Sequence, residues 1–501
     1  MKIGYPTIFL LSFLSFLYAC KDYDPKPDYD SDQYVNHWIY DNMSIYYLWN
    51  DRLPNKPDYN QQPDDFFESI LYKYDERVTP DGDRFSWIME NYVDLLNYLS
   101  GISSDEIGFE YILWRTANEE NLIGEIQYVK RNTPAASVGL KRGQFFSAVN
   151  GISLNMQNYQ MLTQIQGDYT LTVHDVSVED GALVILSTET KSIRSLSRYA
   201  ENPVYLDTIY SIGNSKIAYL VYNFFADDEN DDSWSYLTRL KQSFVQFQNQ
   251  DVTDMVLDLR YNTGGSMHAA QWLASMLIRE GSSGEVFLMG QYNKLVTSAI
   301  VQEGGAEVLN ARFLHQDDQA GITHTLPQLG DKLNRLIVLT GSHTASASEL
   351  LICGLRPYKD IQLLGETTIG KSVGSITIHD EDHPENTWGM QPIIVRFCNA
   401  RFDTFNVGLE PDYLNEDDSY PKLELGDINE NLLHQAISII TGNTALRNEK
   451  RQSPLLSARK VSSSISTKPG ANQAIVNLKI TDFILSKKTI PLSKKEYHDS
   501  K

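Results

Sequence analysis

Ser346 and Lys371 are the two residues of this chain best placed, by type and spacing, to do chemistry together. Ser346 follows the apolar run Leu336 to Leu339, short enough to be a buried strand, and opens Ser-Ala-Ser-Glu-Leu-Leu-Ile, which reads as a helix start. At such a junction the first helix amides point outward and can hold a developing anion. A serine hydroxyl is a weak nucleophile until a base takes its proton, and lysine can be that base only when neutral. Its ordinary pKa of about 10.4 has to fall, and burial among apolar groups is the usual means. Lys371 follows a glycine, with Ile369 and Val373 beside it to supply that burial. The plain reading of a lysine in a glycine loop is a solvated charge. Ser346 and Glu349 also form the S-x-x-E of a capping box, a role compatible with a nucleophile. His343, three residues before the serine, and His268, just past a glycine pair, are the rival bases; both also read as polar loop residues.

The order Thr-Ala-Ser-Ala-Ser-Glu at 344–349, then Gly-Glu-Thr-Thr-Ile-Gly-Lys at 365–371, resembles the active-site region of the carboxyl-terminal processing peptidases. These are the serine/lysine proteases of peptidase family S41. The resemblance implies Ser346, rather than Ser342 or Ser348, as nucleophile and Lys371 as general base. A second stretch, Asp258-Leu259-Arg260-Tyr261-Asn262-Thr263-Gly264-Gly265, is similar to another hallmark of that family. It implies an oxyanion hole built from the amide of Gly264 or Gly265 with that of Ala347, while Asp258 and Arg260 pair to hold the turn. Gly408-Leu409-Glu410-Pro411-Asp412 resembles a third. Some members add a residue four places after the lysine, which here is Ser375; Glu349 is a further possible auxiliary.

Around these residues strands and helices alternate from Lys216 onward. Lys216 to Tyr222 and Met255 to Leu259 read as strands, and Tyr236 to Phe247 and Ala269 to Leu277 as helices, which argues for parallel strands with helical crossovers. The fold class is multidomain α/β, with a ClpP/crotonase-like α/β protease core at 200–442. Residues 33–100 carry apolar residues at three- and four-residue intervals, among them Val35, Ile39, Met43, Phe66, Phe67 and Ile70, and are expected to form a small N-terminal helical domain, with its second helix spanning Asp64 to Tyr74. Between the two, Pro134-Ala135-Ala136, Gly139-Leu140, Arg142-Gly143 and Asn150-Gly151 mark turns about a strand, Phe145 to Val149. That order is similar to a bacterial PDZ domain, placed at 101–190. It implies peptide binding by strand addition at a carboxylate-gripping loop containing Gly108 and Phe109.

At 501 residues with 42% hydrophobic side chains the chain has ample material for real cores. A formal charge of -22 argues against nucleic-acid binding, which needs clustered Lys and Arg. Residues 1–19 have the positive start and apolar middle of a signal peptide, and Leu17-Tyr18-Ala19-Cys20 resembles a lipobox, which implies lipidation of Cys20 and anchoring in the cell envelope, at the outer membrane. Residues 20–32 read as a tether. Cys353 and Cys398 suit neither a disulfide framework nor a zinc site, and neither a catalytic metal nor a cofactor is expected. The end of the chain, 443–501, reads as a basic low-complexity tail, with twelve Lys and Arg against four Asp and Glu in 445–501 and one strand-like stretch, Ala474 to Leu485. Residues 299–330 are expected to border a substrate groove. These readings converge on an exported serine endopeptidase acting on polypeptide substrates, unfolded or recognised at their C-terminal ends. The competing class is a non-catalytic peptide-binding lipoprotein.

Overall fold

The computed structural model describes residues 28–115, 120–179, 182–442, 459–467 and 474–475. The expected signal peptide and Cys20 lie outside them, as does most of the expected tether. Helix α1 (Asp32–Tyr46) starts where Ser31 Oγ accepts the Tyr34 N–H, and its Val35, Ile39, Met43 and Tyr46 are buried. Helix α2 (Pro63–Ile70) buries Phe66, Phe67 and Ile70. It ends short of the expected Tyr74: the Tyr72 N–H turns to Tyr47 Oη, and Asp83 then pairs with the backbone of Tyr72 and Tyr74. Strand β1 (Trp87–Met89) and helix α3 (Tyr92–Leu99) complete this segment. The buried apolar residues of α1 and α2 belong to the same cluster as those of the α/β core, so these helices buttress that core.

Strand β2 (Ile102–Glu106) leads into a second unit, made of β3 (Phe109–Arg115), β4 (Leu122–Val129), the short helix α4 (Pro134–Ser137), β5 (Phe145–Val149), β6 (Ile152–Ser153), β7 (Tyr169–Glu179) and β8 (Ala182–Ile193). Its sheet runs β3-β4-β5-β7-β8, antiparallel throughout, with β6 paired to β5. Phe109, Tyr111, Leu113, Ile126, Phe146 and Val149 are part of an apolar centre of its own. Strand β9 (Leu196–Ala200) returns to pair with β2.

The core follows as β10 (Val204–Ile212), β11 (Ser215–Tyr222), α5 (Ser235–Asn249), β12 (Asp254–Asp258), β13 (Gly265–Ser266), α6 (Met267–Leu277), β14 (Val286–Tyr292), α7 (Lys294–Gly304), β15 (Asn310–Arg312), β16 (Gln316–Gln319), β17 (Ile322–Thr325), β18 (Arg335–Thr340) and α8 (Ala347–Leu355). It continues through β19 (Gln362–Gly365), β20 (Val373–Ser375), β21 (Ile378–His379), β22 (Gly389–Gln391), β23 (Ile393–Cys398), β24 (Tyr413–Leu414) and α9 (Asn431–Thr441). One sheet has the order β10-β11-β12-β18-β19-β24 and is parallel from β11 onward, as continuous apolar strands with intervening helices require. Every residue of α8 is buried, and its apolar side chains join the cluster that also holds most of α6, Phe287 and Leu288 of β14, and Ile393, Ile394, Val395 and Phe397 of β23. Helix α9 covers the opposite face of the parallel sheet.

Two late strands complete the sheets. β25 (Lys460–Ser463) adds to β3, and β26 (Ala474–Ile475) inserts between β13 and β20, giving the order β13-β26-β20-β23-β14-β15. The tail at 443–501 is thus not wholly outside the fold. A strand was expected at Ala474 but none at Lys460. Among the described residues no helix is long and apolar enough to cross a membrane, and Cys353 and Cys398 are separate buried thiols.

Candidate active site

Ser346 stands where β18 gives way to α8. Its backbone has φ 60° and ψ -117°, a left-handed setting that costs a non-glycine residue of order 1–3 kcal/mol and that clusters at functional sites. The turn is held from both sides: Thr344 Oγ1 donates to Leu259 O at 2.8 Å, and the Ala345 N–H reaches Asn262 O. Ser346 is wholly buried, and its Oγ makes no hydrogen bond. Leaving a buried hydroxyl unsatisfied is costly, and such an exception marks Ser346 as a candidate functional residue.

Glu349 lies one turn along, and its carboxylate does far more than cap the helix. Oε2 accepts the Ser346 N–H at 2.8 Å and the Lys371 N–H at 2.9 Å; Oε1 accepts the Gly370 N–H at 2.7 Å and the Thr368 hydroxyl. Burial raises its pKa, against the pull of these four donors. The glycine loop carrying the lysine is therefore bolted to the helix carrying the serine. The Gly-x-x-Pro-Asp stretch supports that loop, since the Leu409 N–H donates to Thr368 Oγ1 and Gly408 N lies within 2.5 Å of where a Cβ on Gly370 would stand.

Lys371 is wholly buried. Desolvation pulls its pKa down to about 7, with Asp83 and Glu349 opposing the fall. Of the two residues expected to supply that apolar surrounding, Val373 is buried and Ile369 is 39% exposed. The ring of Phe85 lies beside the lysine, its centroid 4.8 Å from Nζ. Asp83 Oδ1 accepts the N–H groups of Phe85 and Ser86 in a tight turn that presents this ring, and Arg84 reaches Gly370 O at 3.0 Å. Nothing in the spacing of Asp-Arg-Phe-Ser-Trp points to a lysine so distant in the chain.

The second hallmark forms a glycine turn beside β18. Gly265 has φ 129°, and a Cβ there would come 1.9 Å from Phe225 O, so only glycine fits. Of the two candidate oxyanion donors, Gly264 is already committed: its N–H donates to Asn262 Oδ1 at 2.9 Å. Gly265 and Ala347, the first residue of α8, remain. Asp258 and Arg260 do pair, at 2.8 Å. They belong to a buried knot in which Arg260 also binds Glu430 and Asp417, and Asp417 binds Arg142 of the β3–β8 unit at 2.6 Å, fastening that unit to the core.

The other sequence candidates lie elsewhere. Ser375 is buried in β20. His268 sits between Asp227 at 2.7 Å and Asp317 at 2.6 Å; burial alone would lower its pKa, but these two carboxylates raise it to about 10, so it is a cation at neutral pH and unfit as a base. Asp317 comes from the expected groove border, in the β16–β17 hairpin. His343 bonds to Lys460 Nζ at 3.0 Å and to Ser463 Oγ at 3.2 Å. Gly108 was expected to offer its amide to a peptide carboxylate, but that N–H already donates to Glu106 Oε1 at 2.7 Å, which Lys130 neutralises, while Phe109 is buried in its own unit's core. Among the described residues no group of three or more His, Cys, Asp or Glu is placed to hold a metal ion.

Two family signatures match this chain, the Peptidase S41 N-terminal domain over residues 34–87 and Peptidase family S41 over 216–414. The chain belongs to peptidase family S41. The first match contains Asp83 and Phe85, and the second contains Ser346, Glu349 and Lys371. The chain is 24% identical over 248 residues to a carboxyl-terminal-processing protease of a Picosynechococcus species, covering 48% of this chain and 49% of that one. It is 28% identical over 173 residues to a chloroplastic C-terminal processing peptidase of Tetradesmus obliquus, covering 34% and 31%. The chain thus spans half or less of the length of these curated relatives. The crystal structure of a Bacteroides fragilis protein assigned to the S41 proteases aligns with a TM-score of 0.65 and 27% identity, over 81% of this chain and 97% of that one. The S41 protease fold, of mixed α/β content, is therefore that of this chain.

Proposed function

We propose that this chain is a serine endopeptidase in which Ser346 attacks a peptide carbonyl and Lys371 takes its proton. The observation that carries the reading is the single Glu349 oxygen to which the backbone N–H groups of both residues are bound, beside a lysine whose burial brings its pKa to about 7. A neutral amine is then available at physiological pH. As the carbonyl becomes tetrahedral its oxygen gains negative charge, and the N–H groups of Gly265 and Ala347 are the donors suited to hold it. Lys371 next returns the proton to the leaving amine, and water, deprotonated by the same lysine, releases the acyl group from Ser346.

The substrate class we assign is extended polypeptide. The β3–β8 unit is our candidate for a PDZ-like recruiting domain, using strand addition along β3, although not the Gly108 amide. Export and lipid anchoring through Cys20 complete the proposal, on the strength of the leader-like residues 1–19 and the lipobox-like ending. The test is cleavage of an unfolded protein by soluble material starting after Cys20. Loss of cleavage in both Ser346→Ala and Lys371→Ala, with folding intact, is the expected result. Cleavage by Lys371→Ala at the parent rate would overturn it.

A further inference from the structure

Strand β26 runs parallel to both of its neighbours. Ala474 stands opposite Gly265, and Ile475 stands opposite Ser266 on one side and Ser375 on the other. β13 and β20 are not paired with each other; the slot between them is one strand wide, and β26 fills it. These neighbours are the two edges of the proposed chemistry, since β13 begins at the oxyanion glycine Gly265 and β20 opens just after Lys371. A peptide bound as an extended strand between the Gly265 amide and the start of β20 would take this slot. Ser346 and Lys371 are meanwhile sealed from solvent.

The same end of the chain occupies a second strand-addition place. β25 runs antiparallel along β3, with Lys460 opposite Trp114 and Ser463 opposite Ile112, on what would otherwise be an open sheet edge. Val461 packs on the apolar centre beneath, and Ser464 Oγ accepts the Tyr111 N–H at 2.7 Å. His343, close to the nucleophile in sequence, binds Lys460, Ser463 and Ser466 of this segment.

We propose that the C-terminal segment bearing β25 and β26 is a tethered internal ligand. It lies along the path of an extended polypeptide substrate, first on β3 and then in the slot between β13 and β20, and it must leave before a substrate strand can bind. This rests on the reading of Ser346 and Lys371 as a peptidase dyad. A tethered occupant acts at a high effective concentration, so it raises the apparent KM without touching the chemical step. Among the described residues β26 pairs through Ala474 and Ile475, and an incoming strand that makes the same hydrogen bonds over a longer run can displace it.

The test uses the full chain and an unstructured fluorogenic peptide. Ile475→Pro, and separately Ser462→Pro, remove backbone donors from β26 and β25. A fall in KM of about tenfold with kcat nearly unchanged is expected from either. A parent that cleaves, with folded variants of unchanged KM, overturns the internal ligand and leaves the peptidase reading standing. A second measurement needs no turnover. A labelled synthetic peptide spanning residues 458–478 is titrated onto Ser346→Ala chains with and without Ile475→Pro. Tighter binding to the proline variant is expected, and equal binding or none to both overturns the proposal. If that preference is found while no chain cleaves any substrate, the segment's competition for strand-addition places stands, and the peptidase reading falls together with the substrate role built on it.

Discussion

The amide nitrogens of Ser346 and Lys371 both lie within 2.9 Å of one atom, Oε2 of Glu349. The carboxylate thus sets the proposed nucleophile and the proposed base relative to each other through their backbones. In the proposed mechanism Glu349 is a positioning residue.

Glu349→Gln keeps the shape but replaces one acceptor oxygen with an N–H₂ group, which cannot receive the donors that Glu349 holds. We expect kcat to fall about 10²-fold, as for misplaced catalytic groups generally, with KM little changed and the melting temperature lowered. The midpoint of the pH–rate profile should shift as well, because Glu349 opposes the fall of the Lys371 pKa. A simple loss of stability would leave that midpoint in place.

Phe85 forms part of the wall around the Lys371 ammonium. Phe85→Ala admits water, relieves desolvation and lets the lysine pKa rise toward its ordinary value. The activity profile should move to higher pH, with the loss at neutral pH partly recovered under alkaline conditions. Titrating kcat/KM in parent and variant checks it.

The backbone of Ser346, at φ 60° and ψ -117°, mirrors a conformation that glycine adopts freely. Ser346→Gly should therefore stabilise the chain relative to Ser346→Ala by about 1–3 kcal/mol. Both variants should be inactive, and denaturant melts of the two compare them directly.

Burial of Lys371 also makes stability depend on pH. In the unfolded chain the lysine keeps its proton up to about pH 10.4, whereas in the folded chain it releases it near 7. Folding expels a proton between these values, so this group's contribution to stability improves as pH rises from about 7 to about 10 and is at its worst below 7. Lys371→Met removes the buried charge at similar volume. Its gain in melting temperature should be larger at about pH 6 than at about pH 9.

The serine turn, the parallel strands and the glycine turn were legible in the sequence because each is written in neighbouring residues: an apolar run, a capping pattern, paired glycines. What escaped depends on partners far away in the chain. That Gly264 spends its N–H on Asn262, and Gly108 on Glu106, follows from loop conformations that spacing does not encode. Phe85 comes to lie beside the lysine because the N-terminal segment shares an apolar core with the α/β sheets, a union that helical periodicity alone cannot reveal. The strand at Lys460 was invisible for the same reason: Lys-Val-Ser-Ser has one apolar side chain, and only the exposed edge of β3 gives it a place.

The central claim is that Lys371 is the base for Ser346, and the most direct measurement is the rate of Ser346 labelling by a serine-directed phosphonate as a function of pH. The expected result is a rate that rises with pH to a plateau, with a midpoint at about 7 in the parent, and a rate that is slow and flat in Lys371→Met. A parent midpoint near 10, or a midpoint near 7 that survives Lys371→Met, would contradict it.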